Sequence, residues 1–201
     1  MGAVSATPQR LVLASTSSYR SELLRRIVAD FETCAAAVDE AMHGEEMPLL
    51  AAVRLAREKA RAGARQHPGC WVIGSDQLAD LDGTPLGKPG SIERAHAQLR
   101  QCSGRTVAFH TAVCVADGTG GPPVFREAVD TTRVVFRVLD AAEISRYLAI
   151  ERPLDCAGSF KVERLGVALS ERVESNDPTA LIGLPLIALC HLLRESGMSI
   201  P

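Results

Sequence analysis

The feature that most constrains the fold is a repeated alternation between short apolar runs and segments with helical periodicity. Leu11–Ala14 is an apolar run, and a helical pattern that Ser17 or Ser18 can cap follows it. A second helix is predicted after Pro48, and Trp71–Ile73 then reads as a buried strand. Because strands and helices alternate in this way to the end of the chain, the sequence predicts an α/β fold with a mixed sheet.

The second half of the chain continues the alternation. The predicted elements are a tight turn at Asp82-Gly83, a helix from Ser91 to Gly104, a hairpin of strands 107–115 and 124–138, a helix capped by Asp140, a strand near 165–173 and a final helix from after Pro178 through Leu193. The sequence contains no internal repeat or linker. Residues 1–201 are therefore predicted to form one domain, with residues 1–9 as a flexible N-terminus.

Charge and cysteine usage exclude several classes of protein. A net charge of −2 gives no overall electrostatic reason to expect binding to a nucleic acid polymer or an anionic membrane. The six cysteines form no CxxC pair, which favours buried thiols in a reducing compartment. No run approaches the roughly 18 apolar residues of a membrane span, and the N-terminus does not resemble a signal peptide. The predicted location is the cytoplasm.

The junction between the first strand and the first helix is suited to binding phosphate. A strand that enters a helix through small residues directs backbone N–H groups towards one point, and the side chains of Ser15, Ser17 and Arg20 add further donors. The alternative is an ordinary serine-capped helix with a solvated arginine. On this stretch alone the two interpretations have about equal weight.

Asp76 follows a buried strand, so the sequence places its carboxylate at the edge where open α/β sheets bind ligands. It is a candidate proton acceptor and a candidate metal ligand, and Glu40 is a second carboxylate that could share a magnesium ion with it. The alternatives are an aspartate that caps a turn and a glutamate that is only surface charge. Asp80 and Asp82 are predicted to be turn residues.

The chain contains only three lysines, Lys59, Lys88 and Lys161. An ammonium group neutralises charge on phosphates, which makes all three candidate substrate-binding residues. For Lys59 a solvated helix face is an equally good interpretation. The five histidines have no zinc-ligand spacing, and the chain contains no P-loop, no Rossmann fingerprint and no nucleophile elbow.

Taken in order, these stretches resemble the signature blocks of the Maf-like family of nucleoside triphosphate pyrophosphatases. The blocks are Leu13–Arg20, Val38–Glu40, Glu58–Ala60, Gly74–Gln77, Leu86–Pro89, Cys102–Arg105, Cys156–Lys161 and Leu181–Leu186. The resemblance implies a single α/β domain with an elongated mixed sheet and a nucleotide-binding cleft, similar to inosine triphosphatases. It also implies a homodimer and the hydrolysis of a nucleoside triphosphate to the monophosphate and pyrophosphate with Mg²⁺ or Mn²⁺.

The same resemblance assigns roles to individual residues. Asp76 corresponds to the family's proton acceptor, and Glu40 corresponds to a metal or substrate contact. The residues that resemble its phosphate-handling positions are Ser15, Arg20, Lys59, Lys88 and Lys161. Two alternatives stay open at this point, namely a pyrophosphatase for dTTP, UTP or other modified nucleotides and a non-catalytic nucleotide-binding regulator of cell division.

Three positions bear on the choice of substrate. Tyr19, Gln77 and Glu163 depart from the commonest pattern of the family and are similar to the positions that distinguish its 7-methyl-GTP branch. Methylation at N7 places positive charge on guanine, which favours an aromatic face and a nearby carboxylate. Tyr19 and Glu163 offer one of each, and the alternative is that both are surface residues on opposite sides of the domain. We therefore expect all three residues to determine substrate specificity.

Overall fold

The computed structural model describes residues 10–200, which form a single α/β domain with one seven-stranded mixed sheet and five α-helices. The strands are β1 (Leu11–Leu13), β2 (Glu32–Thr33), β3 (Trp71–Leu81), β4 (Thr84–Leu86), β5 (Thr106–Asp117), β6 (Val124–Phe136) and β7 (Ser170–Glu174). The helices are α1 (Ser18–Leu24), α2 (Pro48–Gln66), α3 (Ile92–Cys102), α4 (Ala141–Glu151) and α5 (Leu186–Glu195). The predicted fold class is confirmed, and the prediction for residues 1–9 lies outside the described residues.

The pairing of β3 creates an opening in the sheet. β5 pairs with one edge of β3 from Trp71 to Asp80. The other edge is shared, because β1 pairs with residues 71–73 in parallel and β4 pairs with residues 79–81 in an antiparallel hairpin. Residues 74–78 therefore lie between two partner strands on that edge. Both faces of the sheet are accessible from this gap, since successive side chains of a strand point to opposite faces.

Small residues bring α2 unusually close to the sheet. Its buried face carries five alanines and a glycine. A Cβ atom added at Gly74 of β3 would lie 2.2 Å from the Ala56 carbonyl oxygen and 2.3 Å from the Ala60 nitrogen, so only glycine allows this approach. The close contact matters for function because Lys59, on the same face of α2, is carried to the middle of β3.

The apolar core has three parts that follow the alternation of the strands. Val72 and its neighbours pack under α2, whereas Trp71 and Ile73 point to the opposite face and pack with α1 and α5. The third part lies at the far end of β3, where Phe109 and Phe136 pack with α3 and α4. The long strands β3 and β5 join the parts into one unit.

The sequence predictions for individual elements are mostly confirmed. The hairpin turn at Asp82-Gly83 has φ values of 52° and 84°, which are the positive values that a type I′ turn requires. The predicted strand near 165–173 begins later, at Ser170, because residues 165–169 form a 3₁₀ helix. The final helix also begins later than expected, at Leu186, after a 3₁₀ turn over Ala180–Ile182.

Candidate active site

A cavity of about 580 Å³ opens at the gap along β3. It is lined by the β1–α1 junction, by residues of α2 and the middle of β3, and by loops that follow β4, α4 and the 3₁₀ turn at Ala180–Ile182. Ten of the eleven residues that the sequence singled out line this cavity, and Lys161 is the exception. Residues separated by up to about 150 positions thus meet at one site.

Lys59 connects two carboxylates at the floor of the cavity. Its Nζ lies 2.6 Å from Asp76 Oδ1 and 2.6 Å from Glu40 Oε1. The Lys59 side chain is only 8% exposed and that of Asp76 12%, whereas Glu40 is 60% exposed. We call Glu40, Lys59 and Asp76 the carboxylate–lysine cluster. The interpretation of Lys59 as a solvated helix residue is wrong, because the helix buries this side chain against the sheet.

The structure corrects one element of the argument for Asp76. β3 does not end before this residue but continues to Leu81, so Asp76 lies in mid-strand. Its access to ligands comes from the missing neighbour strand at residues 74–78. The turn interpretation fits Asp80 instead, whose Oδ1 accepts a hydrogen bond from the Gly83 N–H at 2.6 Å.

Ser15 and Arg20 support each other beside this cluster. The Ser15 hydroxyl oxygen accepts a hydrogen bond from the Ser17 N–H at 3.1 Å and lies 3.5 Å from Arg20 Nη1. Arg20 Nε donates to the Gly183 carbonyl at 3.0 Å. Ser17 is the N-cap of α1, and its hydroxyl accepts from the Arg20 N–H at 3.4 Å. Since α1 has only seven residues, side-chain donors rather than the helix end carry the argument for phosphate binding.

The charges at the floor act on one another. Burial lowers the pKa of the Arg20 guanidinium, and Asp76 and Glu40 oppose that shift. The hydrogen bond from Lys59 lowers the pKa of Glu40, and the charges of Lys88 and Arg20 act in the same direction. The floor of the cavity therefore has three cations and two carboxylates, which leaves one excess positive charge. The cations are Arg20, Lys59 and Lys88. Such a surface suits a polyanion.

The two carboxylates also fit a divalent cation. Glu40 and Asp76 direct oxygens to within 2.6 Å of one ammonium nitrogen, so both can reach a single positive centre. Among residues 10–200 no group of three or more His, Cys, Asp or Glu side chains could hold a metal ion. Mg²⁺ commonly uses one or two carboxylates and takes its remaining ligands from water and substrate phosphates. The donor set therefore matches a metal that enters with a phosphorylated substrate.

A second group of residues lies around Tyr19. Lys161 Nζ lies 5.8 Å from the centroid of the Tyr19 ring and 3.8 Å from Asp155 Oδ1. Burial alone would lower the pKa of Lys161, but the Tyr19 hydroxyl and nearby negative charge raise it. Tyr19, Asp155 and Glu163 line the cavity, and Glu163 is exposed. We call these four residues the Tyr19 rim; Tyr19 and Glu163 share one cavity rather than opposite sides of the domain.

Gln77 faces the opposite side of the sheet from Asp76. Its Nε2 donates towards Thr111 Oγ1 at 2.9 Å and towards the carbonyls of Ala180 and Leu181 at 3.0 and 3.1 Å. Sequence reasoning singled out Gln77 but missed Thr111. The available signal was a hydroxyl within the apolar run of β5, where Thr111 is fully buried.

The family model described as Maf-like protein matches residues 10–196. The chain belongs to the Maf-like family. A relative from Xanthomonas oryzae pv. oryzae (strain MAFF 311018), named 7-methyl-GTP pyrophosphatase, is 56% identical over 192 residues, which cover 96% of this chain and 99% of that protein. A relative from Polaromonas sp. with the same name is 51% identical and is covered over 90% of its length.

The fold of this Maf-like protein also occurs in a more distant solved structure. The Staphylococcus aureus Ham1 protein superposes with a TM-score of 0.52 over 94% of this chain and 100% of that chain. Its sequence identity is 16%, so the likeness concerns the fold alone. Within residues 10–200, none of the helices is long and apolar enough to cross a membrane.

Proposed function

We propose that this Maf-like protein hydrolyses 7-methyl-GTP to 7-methyl-GMP and pyrophosphate with the help of a divalent metal ion. One observation carries the proposal. The carboxylate–lysine cluster and the Tyr19 rim line or border the same cavity, so a site for charged phosphates lies beside an aromatic ring and a carboxylate. A nucleotide with a cationic base needs both, and the curated relatives carry the corresponding name.

The residues at the floor bind the triphosphate. The Ser15 oxygen already accepts hydrogen bonds, which leaves its own proton for a phosphate oxygen. Arg20 is anchored through Nε and Nη1, which leaves its other N–H groups to donate to the phosphates. Lys88 supplies an exposed ammonium from the loop after β4. Ser17 assists by capping α1. Lys161 acts indirectly, through its contacts with Tyr19 and Asp155.

Asp76 takes the proton in the chemical step. A water molecule attacks the α-phosphorus and forms a new P–O bond, while the bond from the α-phosphorus to the α–β bridging oxygen breaks. Pyrophosphate leaves with that electron pair, and the proton of the water passes to Asp76. Lys59 holds Asp76 Oδ1, so we assign the proton to Oδ2.

The metal and the lysines share the neutralisation of charge. A divalent cation held by Glu40 and Asp76 would neutralise phosphate oxygens as a Lewis acid. The floor alone has three cations and two carboxylates, so its excess positive charge is one. That excess is smaller than the negative charge of a triphosphate. Lys59 and Lys88 stabilise the charge that develops on pyrophosphate as it leaves.

We further propose a cytoplasmic homodimer that consists of one domain per chain. Every cysteine among the described residues is a free thiol, which agrees with a reducing compartment. The dimer rests on the family resemblance. Light scattering after gel filtration tests it, and a monomeric mass at micromolar concentration would contradict it.

A product analysis tests the proposed reaction. The purified protein is incubated with Mg²⁺ or Mn²⁺ and 7-methyl-GTP in H₂¹⁸O. We expect 7-methyl-GMP that carries ¹⁸O, unlabelled pyrophosphate and a preference for 7-methyl-GTP over GTP, dTTP, UTP and CTP. Release of 7-methyl-GDP and orthophosphate would refute the reaction, and label in pyrophosphate would move the attack to the β-phosphorus. Tight nucleotide binding without turnover would favour the non-catalytic regulator, whereas preference for dTTP or UTP would favour the other pyrophosphatase branch.

A further inference from the structure

The amide of Gln77 has one possible orientation. The carbonyl oxygens of Ala180 and Leu181 lie 3.0 and 3.1 Å from its terminal atom, and backbone carbonyls can only accept hydrogen bonds. That terminal atom must therefore be the nitrogen, and the oxygen occupies the other branch of the amide. Gln77 lines the cavity, and none of the described residues donates a hydrogen bond to its Oε1.

Thr111 completes this arrangement from the neighbouring strand. It pairs directly with Gln77 across β3 and β5, and its side chain is fully buried. Its hydroxyl donates to the Ala180 carbonyl at 2.9 Å, which uses its single proton. The same oxygen can therefore only accept, and it shares the two protons of Gln77 Nε2, which lies 2.9 Å away, with the carbonyls of Ala180 and Leu181. Every hydrogen-bond direction around the amide is thus fixed.

We propose that Thr111 is a positioning residue for base selection. By holding Gln77 Nε2 away from the ligand, it presents Oε1 as an acceptor that requires an N–H donor on the base. The proposal rests on the proposed function and deepens it. The positive charge of 7-methylguanine strengthens its N1–H and 2-amino groups as donors, and a charge-assisted hydrogen bond to a fixed oxygen favours it over guanine.

Two substitutions at Thr111 separate positioning from packing. Thr111→Val keeps the size and removes the hydroxyl, whereas Thr111→Ser keeps the hydroxyl. The ratio of kcat/KM for 7-methyl-GTP to that for GTP is measured in both variants. We expect Thr111→Val to lower this ratio by about three- to tenfold, mainly through a higher KM for 7-methyl-GTP. In Thr111→Ser the ratio should stay within about twofold of the wild type.

NMR gives a readout that needs no substrate. The side-chain ¹⁵N–¹H₂ signals of Gln77, assigned by their loss in Gln77→Leu, report the hydrogen bonds of the amide directly. We expect slow solvent exchange of these protons in the wild type and Thr111→Ser, and faster exchange in Thr111→Val. Equal exchange in all three proteins would overturn the proposal even if Thr111→Val folded poorly in other respects.

The kinetic outcomes are distinct as well. A ratio that falls in Gln77→Ala but not in Thr111→Val would overturn the role of Thr111. An equal loss for both substrates in Thr111→Val, together with a lower Tm, would reduce the residue to a structural role. If the wild type itself shows no preference for 7-methyl-GTP, the proposed function fails, and the selection argument fails with it.

Discussion

The carboxylate–lysine cluster and the Tyr19 rim contribute charge to the same site under different physical conditions. At the floor, Lys59 and Asp76 are nearly buried, and each is held by an ion pair of 2.6 Å. At the rim, Lys161 and Asp155 are 3.8 Å apart, and the Asp155 side chain is 64% exposed. Solvent weakens exposed pairs to roughly 0–1 kcal/mol, whereas removing one partner of a buried pair is far more costly. The floor should therefore govern the chemical step, and the rim should adjust substrate choice.

The largest effect is expected at the floor, for Asp76→Asn. The substitution keeps the size of the side chain and removes its negative charge, so the proton acceptor is lost. We expect kcat for 7-methyl-GTP to fall by roughly 100-fold or more. The matched control is Asp80→Asn on the same strand, because Asp80 does not line the cavity and its amide oxygen can still accept from Gly83. Near-normal turnover of Asp76→Asn would move the proton acceptor to Glu40 or elsewhere.

The next comparison sets one lysine of the floor against one of the rim. Lys88→Ala removes an ammonium that lines the cavity, and we expect KM for the triphosphate to rise by about tenfold, which is typical for a charged hydrogen bond. Lys161→Ala should weaken binding or turnover by only about two- to threefold, because Lys161 contacts Tyr19 and Asp155 of the rim and does not line the cavity itself. Steady-state kinetics measure both effects.

Thermal unfolding supplies the control for this pair. Neither lysine belongs to the apolar core, so both variants should unfold close to the wild-type temperature. Loss of folding in either variant would indicate a structural role. A larger kinetic defect in Lys161→Ala than in Lys88→Ala would break the distinction between floor and rim.

At the rim, base preference should change more than the rate. Glu163→Gln removes a carboxylate beside a cationic base, and we expect the preference for 7-methyl-GTP over GTP to fall by about three- to tenfold with little loss of GTP hydrolysis. Tyr19→Ala should act in the same direction, whereas Tyr19→Trp should preserve the preference because indole is the better cation–π face. Competition assays with mixed nucleotides measure the ratio. An equal loss on all substrates in Glu163→Gln would contradict base recognition.

The last prediction concerns the reactivity of a thiol rather than catalysis, that of Cys156, which also lines the cavity. Burial raises its pKa to about 12, so at pH 8 it is almost entirely the unreactive thiol. We expect iodoacetamide to label it more than tenfold more slowly than an ordinary cysteine with a pKa near 8.5. Peptide mass spectrometry, with Cys156→Ala as the reference for assignment, follows the reaction. The rate should rise with pH up to at least pH 10, and a plateau near pH 8 would contradict the shift.

Much of the site was accessible from the sequence. Local patterns are short-range, so the hairpin turn at Asp82-Gly83 and the cap at Ser91 could be predicted from neighbouring residues alone. The order of the signature blocks led to the Maf-like family and to the ten predicted residues that line the cavity. The residue types alone indicate what these side chains can bind, because they include carboxylates, lysines, an arginine and an aromatic ring.

Tertiary structure alone decided how these residues act together. Nothing local in β3 indicates that β1 and β4 share one of its edges, and this gap is what exposes Asp76 in mid-strand. The burial of Lys59 depends on Gly74, because a glycine at this position lets the α2 backbone at Ala56 approach the sheet. Gly74 lies eighteen positions after Ala56 in the sequence. The anchoring of Gln77 depends on Thr111 and on a loop about a hundred residues away. Sequence determines the donors and acceptors, but their pairing arises from long-range packing, which no local pattern encodes.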